Sequence, residues 1–85
     1  MKIVVKHKPG CPKCRFTMNY LDQHHFEFKD ILIHPEEDRK AIQELLDEGD
    51  LSFPVVYVYS DKGNLIDHWD DLRMDELKKL QFIDD

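Results

Sequence analysis

The sequence is poor in the features on which several classes of protein depend. It has two cysteines in 85 residues, so a zinc site made of four cysteines is excluded. No apolar run approaches the ~20 residues of a membrane span, and the run Ile3-Val4-Val5 is far shorter than the ~7–15 residues of a signal-peptide core. Basic residues number 12 against 18 acidic ones, and the net charge of −6 argues against nucleic acid as the main partner.

What remains is enough for one small folded protein. The chain is 41% hydrophobic, which suffices for a core at this length and is too much for a disordered acidic segment. We therefore expect a single domain over residues 1–85. We also expect a cytoplasmic monomer that contacts neither a membrane nor nucleic acid.

The order of apolar patterns predicts an α/β protein with the elements β-α-β-α-β-β-α, in which helices flank a four-stranded mixed sheet. The first βαβ unit makes its two strands parallel through a right-handed crossover. A turn at residues 61–64 makes the last two strands antiparallel. The predicted strands cover residues 1–7, 26–33, 54–59 and 65–69, and the predicted helices cover 12–25, 35–48 and 71–82.

Helical spacing also predicts where the helices begin and which side chains they bury. We expect Glu36, Glu37 and Asp38 in the first turn of the second helix, and Asp71 or Asp75 near the start of the last. The inward-facing residues of the three helices are predicted to be Cys14, Met18, Leu21 and His25; Ile42, Leu45 and Leu46; and Leu72, Leu77 and Leu80.

The two cysteines lie in the stretch KPGCPKC, where the first strand leads into the first helix. Cys11 is expected just before the helix, where free backbone N–H groups, the helix dipole, Lys8 and Lys13 all favour a thiolate. Pro12 fits the first helical turn. Cys14 is expected on the buried face. This arrangement allows Cys11 to attack a substrate disulfide and Cys14 to attack the resulting mixed disulfide.

Two other interpretations of the cysteines are open. A structural zinc site needs further ligands, and the five histidines, at positions 7, 24, 25, 34 and 68, are not paired at ligand spacing. Two inert core cysteines would fit poorly with a turn that has basic neighbours. We interpret the histidines as surface or edge residues, none of them a catalytic base. A CxxC motif beside a βαβ pattern favours a redox pair, so we expect no metal and no cofactor beyond a Cys11–Cys14 disulfide.

The stretch LSFPVV places a proline at the head of a buried strand, where it cannot donate a hydrogen bond to the sheet. We predict a cis Phe53–Pro54 bond close to Cys11, which would leave the N–H and C=O of Phe53 open to an extended peptide. The alternative is a trans proline that merely begins the strand.

Taken together, the strand, the KPGCPKC turn, the helix, the FPVV stretch, the hairpin and the last helix resemble the thioredoxin superfamily in its short, glutaredoxin-like form. The resemblance extends from Ile3 to about Leu80. It implies that Cys11 is the attacking thiol, that Cys14 resolves the mixed disulfide, and that Pro54 faces them in cis.

Two subgroups of this family differ after the last strand. Glutathione-dependent glutaredoxins carry a Gly-Gly pair there, where this chain reads HWDD. NrdH-redoxins carry a tryptophan and a Ser-Gly-Phe-Arg-Pro-Asp-like run, and WDDLRMDEL resembles that pattern more closely. It matches or nearly matches at Trp69, Leu72, Arg73, Asp75 and Leu77, and departs at Asp70, Asp71 and Met74. The resemblance implies a substrate groove formed by Lys8, Pro12, Lys13, Phe53, Pro54, Trp69, Asp70 and Asp71, although Trp69 has the alternative of simple packing at the strand end.

The implied function is that of a thiol–disulfide oxidoreductase, a small dithiol electron donor for a disulfide-containing protein such as ribonucleotide reductase. The implied reductant is thioredoxin reductase, because Asp70 and Asp71 oppose glutathione by bulk and charge, although the basic residues near the cysteines act the other way. Two alternatives are a glutathione-dependent glutaredoxin and a non-catalytic thioredoxin-fold module that binds a peptide or a metal.

Overall fold

A computed structural model describes residues 1–83, which form four strands, three α-helices and one short 3₁₀ helix. The strands are β1 (Lys2–His7), β2 (Phe28–Leu32), β3 (Val55–Tyr59) and β4 (Leu65–Asp70). The helices are α1 (Pro12–Gln23), α2 (Arg39–Asp47) and α3 (Met74–Lys79), with the 3₁₀ helix at Leu80–Phe82. The predicted element order is confirmed. Within residues 1–83, every helix is too short or too polar to span a bilayer.

The strands form one mixed sheet in the order β2-β1-β3-β4. β1 pairs with β2 in parallel, and β3 pairs antiparallel with both β1 and β4, which confirms the predicted parallel and antiparallel pairs. Lys6 of β1 lies opposite Val55 of β3, so the start of β3 lies beside the end of β1. The turn that follows His7 and the proline that precedes Val55 therefore meet at the same end of these two central strands.

Alternation along the strands divides the core into two layers. On one face of the sheet, a buried cluster joins the strands to α1, α3 and the 3₁₀ helix through Ile3, Val5, Leu21, Val56, Val58, Trp69, Leu77 and Leu80. On the other face, a smaller cluster joins β3 to α2 through Ile33, Leu45, Val55 and Tyr57. β3 is thus buried on both faces, as the run VVYV predicts.

Helix α1 is shorter than predicted. It ends at Gln23 with His24 as its C-terminal cap, and His25 takes a left-handed conformation with φ of 61°. The N–H of Phe26 then donates to the carbonyl of Leu21, which turns the chain away from the helix axis. His25 is consequently exposed, and its predicted place on the buried face is wrong.

Helix α2 begins four residues later than predicted, at Arg39 instead of Pro35. The N–H groups of Glu37 and Asp38 donate to the carbonyl of His34, and the Asp38 carboxylate accepts from the N–H of His34. These local contacts close a turn around His34, so the three acidic residues lie before the helix rather than in its first turn. Leu45 is buried as predicted and Ile42 partly so, whereas Leu46 faces solvent.

Helix α3 begins at Met74, three residues after the predicted start. Asp71 has a left-handed backbone with φ of 68°, which a right-handed helix cannot include. Asp75 in the first turn, lysines in the last turn, and buried Leu77 and Leu80 all agree with the prediction, and Leu72 packs partly buried ahead of the helix.

Trp69 belongs to the core and not to the groove. It is 5% exposed and packs in the cluster with α1 and α3, because it alternates with His68 and Asp70 along β4. Its indole Nε1–H has no hydrogen-bond partner among residues 1–83. The predicted groove role of Trp69 is therefore wrong, and packing at the strand end is its structural role.

Because Trp69 packs in the core and does not reach the cysteines, we expect its substitution to change the stability of the protein but not its reaction with disulfides. Trp69→Ala should lower the free energy of unfolding by ~3–5 kcal/mol, because it leaves a large cavity. Trp69→Phe should cost less, since it keeps an aromatic ring and removes the unpaired N–H. Urea denaturation followed by circular dichroism measures both. The rate at which Trp69→Phe reduces hydroxyethyl disulfide should stay within about twofold of the wild-type rate. A larger fall would show that Trp69 contributes to the substrate groove after all.

Candidate active site

The cysteines lie at the junction of β1 and α1. Gly10 has φ of 65°, a left-handed backbone that glycine adopts without strain, and it turns the chain into the helix. Cys11 is the N-cap of α1, with the extended backbone typical of that position, and Pro12 is the first helical residue. The predicted placement of Cys11 just before the helix and of Pro12 in its first turn is confirmed.

Cys11 and Cys14 form a disulfide, with their Cα atoms 5.2 Å apart. Cys11 is 6% exposed and Cys14 is 1% exposed, while Pro12 and Lys13 between them are exposed. The backbone N–H of Cys14 donates to Sγ of Cys11 over 3.2 Å. This N–H, together with the positive end of the helix dipole, stabilises negative charge on the Cys11 sulfur when the disulfide is opened.

A groove of about 630 Å³ runs past Cys11. Of the predicted groove residues it is lined by Lys8, Pro12, Lys13, Phe53 and Asp71. Sequence reasoning missed Gly10 and four further lining residues, which come from α2 and the segments on either side of it: Pro35, Ile42, Leu51 and Ser52. Leu51 is 82% exposed, and no local pattern in the sequence places such a leucine beside the cysteines.

The Phe53–Pro54 bond is cis, as predicted. Phe53 lines the groove together with Cys11, and Nζ of Lys8 lies 5.7 Å from the centre of the Phe53 ring. Pro54 is fully buried behind it. Within residues 1–83, the N–H and C=O of Phe53 have no backbone partner, so this edge is open to an extended chain.

Asp71 closes one side of the groove. Its carboxylate accepts a hydrogen bond from Nζ of Lys13 over 2.9 Å and another from the N–H of Leu72. The bond from Lys13, and to a smaller degree that from Leu72, lowers the pKa of Asp71. The N–H of Asp71 donates to the carbonyl of Pro54. Lys13 is therefore paired with Asp71, and its positive charge is shared between this carboxylate and the Cys11 sulfur.

Asp70 does not line the groove, contrary to the prediction. Its carboxylate accepts from the N–H groups of Leu51 and Ser52, over 2.8 and 3.0 Å. The cause is strand alternation, which directs Asp70 to the face opposite Trp69, toward the loop that precedes the cis proline. Of the two carboxylates expected to face glutathione, only that of Asp71 lies in the groove.

A polar cluster lies behind this loop and has no signal in the sequence. Tyr57 donates to Glu48 over 2.6 Å, His68 pairs with Asp50 over 2.9 Å, and the His68 ring stacks on that of Tyr57. His68 is half-buried on β4, an edge strand of the sheet, which agrees with its prediction as a surface or edge residue. Asp50 is buried, and this burial raises the pKa of its carboxyl group. Burial alone would raise the pKa of Glu48, but the hydrogen bond from Tyr57 and, after it, the interaction with Asp50 lower it.

Within residues 1–83, potential metal ligands gather only in this cluster. Among residues 1–83, Glu48, Asp50 and His68 are the one group of three or more such side chains whose donor atoms all lie within 4.8 Å of one another. Neither cysteine belongs to it. Each member already has a hydrogen-bond partner inside the cluster, and we assign no metal to it.

Comparison with known proteins decides the family. A family model named Glutaredoxin matches residues 3–63, which include both cysteines and the cis proline. The chain belongs to the glutaredoxin family. No significant match to a curated protein sequence was found.

Solved structures share the fold of this chain. The glutaredoxin-like protein NrdH-redoxin from Escherichia coli superimposes with a TM-score of 0.71 at 24% identity, over 94% of this chain and 95% of that one. A glutaredoxin from Archaeoglobus fulgidus gives a TM-score of 0.68 at 26% identity, over 93% of this chain and 84% of that one. A thioredoxin-like protein gives 0.65 at 23% identity, over 92% and 97%. The predicted thioredoxin-like fold is confirmed.

Family, fold and the close cysteine pair identify this glutaredoxin-like protein as a thiol–disulfide oxidoreductase. The family match ends at residue 63. Trp69, Asp70 and Asp71 therefore lie beyond it, in the segment where the two subgroups of glutaredoxin-like proteins differ.

Unequal burial and unequal hydrogen bonding of the two cysteines predict unequal reactivity. In the reduced protein, iodoacetamide at neutral pH should label Cys11 first, because Cys11 lies at the helix start with the N–H of Cys14 directed at its sulfur. Cys14→Ser should trap a mixed disulfide at Cys11, detectable by mass spectrometry. Cys11→Ser is the matched control and should trap none. Preferential labelling of Cys14 would reverse the two roles.

Proposed function

We propose that this protein is a dithiol electron donor, which reduces disulfides of protein partners and is itself reduced by a thioredoxin reductase instead of glutathione. The observation that carries the proposal is Asp71, whose side chain and ion pair with Lys13 occupy the side of the groove where glutathione-dependent relatives keep glycine. The remaining elements of the proposal follow from the cysteine pair and the open edge at Phe53.

The chemistry is a two-step exchange. The Cys11 thiolate attacks one sulfur of the substrate disulfide, which forms a mixed disulfide and releases the first substrate thiolate. The Cys14 thiolate then attacks the Cys11 sulfur, which releases the second thiolate and forms the Cys11–Cys14 disulfide. Two electrons pass to the substrate. A reductase returns two electrons to the disulfide and restores both thiols.

Glutathione is disfavoured mainly by space. Asp71 has φ of 68°, a left-handed backbone conformation that glycine adopts without strain, and at this position it carries a side chain. That side chain spans to Lys13 on α1 and narrows the approach to the cis proline. Salt does not screen this obstruction.

Charge supports the same choice more weakly. The carboxylate of Asp71 opposes the two carboxylates of glutathione, but Lys13 neutralises part of that charge and solvent screens the rest. Lys8 is exposed at the groove and attracts an anion. Electrostatics alone does not separate the two reductants.

The structural comparison points the same way. The NrdH-redoxin from Escherichia coli is described as a glutaredoxin-like protein with a thioredoxin-like activity profile. We extend that profile to this chain, with ribonucleotide reductase as the candidate protein substrate and the cytoplasm as the compartment. A reducing compartment suits a CxxC pair that cycles rather than one that stays oxidised.

The reductant decides between the two kinds of glutaredoxin. In an insulin-reduction assay, we expect fast turnover with thioredoxin reductase and NADPH, and slow turnover with glutathione, glutathione reductase and NADPH. A glutathione-dependent glutaredoxin run in parallel confirms that the second system works. Efficient turnover by millimolar glutathione, with none from thioredoxin reductase, would overturn the proposal and leave a divergent glutathione-dependent glutaredoxin.

The role of Asp71 has its own test. Asp71→Gly keeps the left-handed backbone, removes the Cβ and the carboxylate, and releases Lys13, so reduction by glutathione should rise severalfold. Asp71→Asn keeps the bulk and removes the charge, so it should raise the rate much less. Equal gains in both variants would show that charge excludes glutathione, and no gain in either would show that Asp71 does not exclude it.

A further inference from the structure

One wall of the groove is a loop without regular structure. After α2, Gly49 turns the chain with φ of 92°, and the N–H of Asp50 donates back to the carbonyl of Leu45. From there to the cis proline the chain is neither helix nor strand. We call residues Asp50–Phe53 the wall loop. Three of its members, Leu51, Ser52 and Phe53, line the groove.

The side chain of Asp70 holds the middle of the wall loop. One carboxylate oxygen accepts from the N–H of Leu51 over 2.8 Å and from the N–H of Ser52 over 3.0 Å. Hydrogen bonds to an ionised acceptor are about twice as strong as neutral ones. Asp70 is the last residue of β4 and pairs with Val55, so it is itself fixed by the sheet.

Within residues 1–83, the other contacts of the loop lie at its two ends, where Phe53 packs partly buried against the cluster of Ile33, Leu45, Val55 and Tyr57. Asp50 at its start is tied to His68, and on the far side of the cis proline the carbonyl of Pro54 accepts from the N–H of Asp71. Leu51, at 82% exposed, contributes no packing anchor. The conformation of Leu51 and Ser52, the two residues before Phe53, therefore depends on Asp70.

We propose that Asp70 is a positioning residue for the exchange reaction. It fixes the wall loop so that the N–H and C=O of Phe53 face the groove beside Cys11, ready to pair with the extended chain that carries the substrate disulfide. The inference rests on the proposed function, since it needs a protein or peptide substrate. A small disulfide has no backbone to pair with Phe53, so its reaction with Cys11 does not require Asp70.

A comparison of a peptide disulfide with a small disulfide distinguishes a loss of substrate positioning from a general loss of activity. Asp70→Ala is compared with wild type in the full chain, with a disulfide-linked peptide and with hydroxyethyl disulfide. We expect kcat/KM for the peptide to fall about tenfold, mainly through KM, because the loop must be ordered on binding. The rate with hydroxyethyl disulfide should stay within about twofold. Asp47→Asn, which removes one surface charge on α2 away from the groove, should leave both rates unchanged.

Two further measurements complete the test. Amide hydrogen exchange should speed up at Leu51 and Ser52 in Asp70→Ala, since their acceptor is gone. Asp70→Asn keeps an acceptor oxygen of the same size without the charge, so it should give a smaller loss of the same kind, and it serves as the test if the alanine variant does not fold.

Two results would overturn the role of Asp70: an equal loss with both disulfides, or an unchanged KM for the peptide despite faster exchange at the two amides. A different result would count against the proposed function instead. If wild type reduces hydroxyethyl disulfide but not the peptide, the protein does not act on peptide disulfides. The proposed function is then wrong, whatever the role of Asp70.

Discussion

The antiparallel pairing of β3 with β1 is the constraint on which the site depends. Lys6 lies opposite Val55, so the turn that carries the cysteines and the cis proline, far apart in the chain, leave the sheet at the same edge. A slip of one residue would exchange the two faces of β3, moving Tyr57 and Val56 into each other's layers. Since β3 is buried on both sides, that slip is costly, and the register that joins Cys11 to Phe53 is firmly set.

β4 links the core to the groove through alternate side chains. Trp69 fills the layer against α1 and α3, while His68 and Asp70 on the opposite face fasten the loop before the cis proline. Asp71 then leaves the strand in a left-handed turn and reaches Lys13. One strand therefore supplies both packing and site geometry. This strand lies beyond residues 3–63, the part of the chain that the family model matches.

Element order, the β1–β2 and β3–β4 pairs, the cysteine junction and the cis proline were predictable, because their signals are local, whereas the pairing of β3 with β1 was not predicted. Runs of β-branched residues, Pro12 and Gly10 at a helix start, and a proline heading a strand each restrict the backbone by themselves. Helix starts failed where polar residues had a competing local partner. Asp38 hydrogen-bonds to His34, and Asp71 adopts a left-handed backbone, choices that acidic composition alone does not reveal.

Side-chain direction was the harder problem, because it depends on which face of a strand is buried. The cluster of Tyr57, His68 and Asp50 forms only once β3 and β4 are in register. Trp69 and Asp70 are simpler: neighbours in a strand point to opposite faces, so they cannot both line one groove. A large indole gains more from burial than a carboxylate does, which places Trp69 inward and sends Asp70 to the loop side. The alternation rule, applied to this pair, would have corrected both assignments from the sequence alone.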